Sequence, residues 1–101
     1  MSLASTASTV ARLTSEFGYP EHGAKSVAVR LSQLQPALAV QAERWWDTGE
    51  PIALEVSGHS VDSLKRAHGL NDIAAILTLD WLIRDPKAAL AQLARGHDRV
   101  Q

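Results

Sequence analysis

The sequence predicts a mainly α-helical domain: a compact bundle of four to five short helices with one short β-strand at 52–57. Three observations carry this. Most of the chain places apolar residues at helical spacing, as in Ala24, Val27, Ala28, Leu31 and Leu34. Glycine and proline punctuate those runs at intervals suited to short helices (Gly18, Pro36, Gly49, Gly69, Pro86). One stretch alone, PIALEVS, alternates cleanly between apolar and small or polar residues.

Along the chain, residues 1–8 are small and polar and are expected to be a flexible N-terminus ahead of one globular domain at 9–96. Thr9 can cap a first helix, in which Val10, Leu13 and Phe17 share a face. Gly18 and Tyr19–Pro20 end it. Residues 23–35 fit two templates. The helical stripe above explains five positions, while Val27, Val29 and Leu31 also alternate as a half-buried strand would. The helix is preferred because it accounts for more residues. The alternative is an α+β domain with a two-stranded sheet made of 26–31 and 52–57.

Pro36 either kinks that helix or opens a new one at its first turn, giving a helix over 36–47. In the segment 52–57, Ile52, Leu54 and Val56 point one way and Ala53, Glu55 and Ser57 the other. Ser60 caps a helix to His68, with Asp62 and Ser63 in its first turn. Gly69 closes it, and Asn71 caps a helix over 72–84. Asp85 caps a last helix that Pro86 begins and Gly96 ends, leaving 97–101 as a flexible tail.

The helix 72–84 decides between two kinds of function. With the preceding VDSLKRA it has the shape of a helix–turn–helix. At about 100° per residue, however, Ile73, Ala74, Ala75, Ile76, Leu77, Leu79, Trp81, Leu82 and Ile83 cover nearly its whole circumference. Asp80 and Arg84, four apart, form the narrow polar wedge. A helix apolar on all sides is built for burial. A DNA-reading helix needs Arg, Lys, Asn or Gln facing base edges, and here the first turn offers Asp72, which repels phosphate. Ile76, Leu77 and Leu79 are therefore expected to be almost fully buried.

Composition agrees with that choice. Ten Lys and Arg against eleven Asp and Glu give a net charge of −1, so there is no overall attraction to a polyanion. A domain of 101 residues has a thin core, which makes enclosing such a helix difficult. A homodimer would supply the missing cover, and its two-fold axis would let strand 52–57 pair with its twin. On this reading Trp45, Trp46, Leu54 and Val56 are the candidate interface residues. Adjacent tryptophans on a helix point about 100° apart, so one is expected in the core and the other flat under the Thr48–Pro51 turn, or else as an anchor for a partner or the dimer.

No other chemistry is indicated. The chain has no cysteine, which excludes disulfides, thiolate metal sites and a cysteine nucleophile. His22, His59, His68 and His97 have no metal-ligand spacing, so no metal and no cofactor is expected. Ser57–Gly58–His59–Ser60 sets hydroxyls beside an imidazole, but a polar turn and a helix cap explain the same residues. No phosphate-binding glycine motif is present. The expected function is that of a non-enzymatic protein–protein interaction module, a small dimeric adaptor, with a helix–turn–helix DNA-binding regulator as the alternative. No stretch is long and apolar enough for a membrane span, and MSLASTAST lacks the features of a signal peptide, so the cytoplasm is the expected location.

Overall fold

The computed structural model describes residues 6–99, with side chains from 7 to 95. Six helices are present among them, not the four to five expected, because each of the glycine and proline breaks separates two helices: α1 (Thr6–Phe17), α2 (Glu21–Leu31), α3 (Pro36–Thr48), α4 (Val61–His68), α5 (Asp72–Arg84) and α6 (Pro86–Arg99). The chain divides into two compact units, Met1–Pro51 and Ile52–Gln101, each with three of the helices.

In the first unit α1 begins at Thr6, three residues before the expected cap. Thr9 is instead fully buried inside the helix. The reason is its place one turn before Leu13, also fully buried, on the same face. The flexible segment expected at 1–8 thus overlaps α1 at its last three residues, and 1–5 lie outside the described residues. The segment 26–31 is helical, as preferred over the strand alternative. Ala24, Ala28 and Leu31 are the buried residues of α2. Pro36 stops α2 from running on: the residue before a proline is pushed out of the helical region, and Gln35 has φ −59° and ψ 144°. Pro36 then opens α3, whose buried stripe is Leu38, Ala42 and Trp46.

In the second unit the helix caps follow the sequence closely. Ser60 and Ser63 form a reciprocal box, each side-chain oxygen accepting from the other's backbone N–H at 3.1 and 2.9 Å. The Asn71 side chain accepts from the Ala74 N–H at 2.8 Å. Asp85 accepts from Ala88 at 3.3 Å. Gly69 ends α4 in the left-handed conformation (φ 66°), which allows α5 to start three residues later. Gly96 does not end α6, which continues to Arg99 and takes in the first residues of the expected tail. A glycine weakens a helix interior by about 1 kcal/mol without forbidding it.

The expected strand is absent; no strand exists among the described residues. Ile52–Ser57 nevertheless keeps the alternation that suggested it: Ile52 is buried, Leu54 and Val56 are half-buried, and Ala53, Glu55 and Ser57 are exposed. Alternation requires only an extended backbone with one side facing inward, whereas a strand also requires a ladder partner. Here the chain folds back at once. Val56 and His59 exchange N–H···O bonds of 2.8 and 2.9 Å around Ser57 (φ 52°) and Gly58 (φ 79°). Positive φ at both central residues makes this a type I′ turn. Ser60 then caps α4, so the second arm of a hairpin has no length. Ala53 and Leu54 have interactions of their own. The premise that this backbone is free to pair with a twin therefore falls, as does the two-stranded-sheet alternative.

Ser57 makes the turn improvable. A non-glycine residue in the left-handed region costs roughly 1–2 kcal/mol, and asparagine tolerates that region better than serine. Ser57→Asn should raise the melting temperature by a few degrees, and Ser57→Val should lower it. An Asn variant that melts below the parent would show that the turn is not what limits stability there.

Candidate interaction surface

Trp46 is 2% exposed, and its indole has Phe17, Arg12 and Trp45 around it. The Phe17 ring lies nearly parallel to it, with centroids 6.1 Å apart and an interplanar angle of 12°. The Arg12 guanidinium carbon sits 4.2 Å from the indole centroid, a cation–π contact. Arg12 Nη1 also donates to the Trp46 carbonyl. That carbonyl belongs to the last turn of α3, where helical acceptors lack partners and a cation is favoured. Arg12 Nε lies 3.1 Å from Glu16 Oε2, close enough for an ion pair but not aligned as a hydrogen bond. The arginine's main role is therefore to tie α1 to the end of α3.

Trp45 is half-buried. It contacts the same cluster in a tilted arrangement, with ring centroids 6.2 Å from Phe17 at 51° and 6.0 Å from Trp46 at 56°. Of the pair, Trp46 is the one that enters the core, as expected of one of them. Leu54 and Val56, in the second unit, are half-buried. Trp46 offers almost no accessible surface, so of the four candidate residues Trp45, Leu54 and Val56 retain surface for a partner.

Helix α5 is less enclosed than its composition suggests. Ile73, Ala75, Ile76, Leu79 and Leu82 are buried, the first four completely. Leu77, expected beside them, is only half-buried, as are Ala74, Thr78 and Trp81. Those four positions fall on one stripe at spacings of three and four. The expectation of near-complete burial is thus corrected at Leu77. The buried residues span the arc that meets α4 and α6, and the opposite side receives less cover. The Thr78 hydroxyl is satisfied within the helix, donating to the Ala74 carbonyl at 2.8 Å. The face of α5 that a recognition helix would present thus carries alanine, leucine, a satisfied threonine and tryptophan.

The cations around this helix–turn–helix are engaged with acids. Lys65 reaches Asp72 at 2.9 Å, joining the end of α4 to the start of α5. Arg66 pairs with Asp62 and Arg84 with Asp80, both at 2.7 Å. Such pairs add little stability at a surface, but they neutralise positive charge that phosphates would need.

The segment Ser57–Gly58–His59–Ser60 serves as a turn and a helix cap. Ser60 and Ser63 spend their hydroxyls on the helix cap, and Ser63 Oγ donates to the Ser60 carbonyl. No group of three or more His, Asp or Glu that could hold a metal occurs among the described residues. His22 is exposed, His59 and His68 are half-buried, and the His97 side chain lies outside the described residues. Among the described residues no helix is long and apolar enough to cross a membrane.

Sequence reasoning missed two features. The Arg12–Trp46 contact joins residues 34 apart, and no local pattern encodes it. The type I′ turn was signalled by the Ser57–Gly58 dipeptide, a recognised turn marker that strand alternation overshadowed. No protein-family model, curated protein or solved structure matches the chain.

Proposed function

We propose that this chain is a non-enzymatic protein–protein interaction module, acting as a small adaptor that pairs with a second copy or with another protein. The observation that supports this reading is the half-exposed stripe of Ala74, Leu77 and Trp81 on α5. Scattered surface leucines need no explanation, but a tryptophan and a leucine aligned on one helix face form the kind of anchor that interfaces use. Trp45 is a second such anchor in the first unit, and Leu54 and Val56 are smaller apolar contributors in the second. Because the strand is absent, pairing of two copies would rest on side-chain burial rather than on a shared β-ladder.

The test is sedimentation of the full chain at micromolar concentration beside Leu77→Glu, with affinity capture by both proteins. The parent is expected to self-associate or to retain a discrete partner, and the variant to lose that behaviour while keeping its helical circular dichroism. A parent that stays monomeric and captures nothing that Leu77→Glu fails to capture would overturn the reading.

A DNA-binding regulator is the second reading, favoured by one observation: α4, the Gly69 turn and α5 have helix–turn–helix order and spacing. The apolar stripe and the paired cations count against it. A gel shift at about 50 mM salt, where phosphate contacts are strongest, is expected to show no sub-micromolar complex with mixed genomic fragments. A tight, sequence-dependent shift would reverse the order of the two readings.

A further inference from the structure

We draw no further inference here: the strongest candidate, the half-exposed α5 face of Ala74, Leu77 and Trp81 as a two-fold contact between copies, belongs to the surface already proposed for partner binding, and nothing in the structure shows what covers it.

Discussion

Leu79→Ala should remove roughly 2–5 kcal/mol of stability, as truncation of a fully enclosed leucine does through lost transfer energy and the cavity left behind. Leu79 is 0% exposed in the middle of α5, between the buried Ile76 and Leu82. A chain of this size has about 5–15 kcal/mol in total, so a large share of the folded state's margin would go. Leu77→Ala, two residues away on the same helix, should cost less than half as much. Its side chain is half-exposed, so part of the transfer term is absent and water or neighbouring side chains can relax into the space. Urea unfolding of the two variants, followed by circular dichroism and fitted with a common slope, reads the difference directly. Equal losses would mean that α5 is enclosed on all sides, and the surface proposed for a partner would then not exist.

That comparison also marks where sequence reading stops. The boundaries of α5 were legible because Asn71, Arg84 and Pro86 are local signals whose physics acts within one turn. The caps at Ser60 and Asp85 were legible for the same reason. The less covered side of α5 was not, because hydrophobicity records which residues tolerate burial and not which of them a thin core can reach. The segment Ile52–Ser57 shows the same limit. Its alternation correctly gave the inward and outward sides, yet strand formation depends on a partner that no local pattern supplies. Glycine was the least consistent guide: Gly49 and Gly69 end helices with positive φ, whereas Gly96 sits inside one. Of the candidate interface, the different directions of Trp45 and Trp46 followed from their being adjacent on a helix, and which of them went inside was marked by a second pattern. Trp46 continues the i, i+4 row of Leu38 and Ala42, which are its buried companions, and that row was readable.

Trp46→Ala should cost roughly 3–5 kcal/mol, the range for removing a buried large aromatic. The indole is the piece that Phe17 stacks on and that Arg12 covers, so its loss leaves a ring and a guanidinium without their apolar partner. The backbone bond from Arg12 to the residue-46 carbonyl survives the change, which limits the damage to packing. Trp46→Phe keeps a ring for both neighbours and should recover a substantial part of the loss. Pairing Trp46→Leu, which removes the π face, with Arg12→Met in a double-mutant cycle isolates the cation–π coupling, expected at about 0.5–1 kcal/mol because the arginine side chain is 35% exposed. Trp45→Ala should be markedly milder, since that residue is half-buried whereas Trp46 is almost completely enclosed. If Trp45→Ala proved the more destabilising of the two, the residues would have exchanged roles. Trp45 would then be core, and its assignment as an anchor for a partner would fail with it.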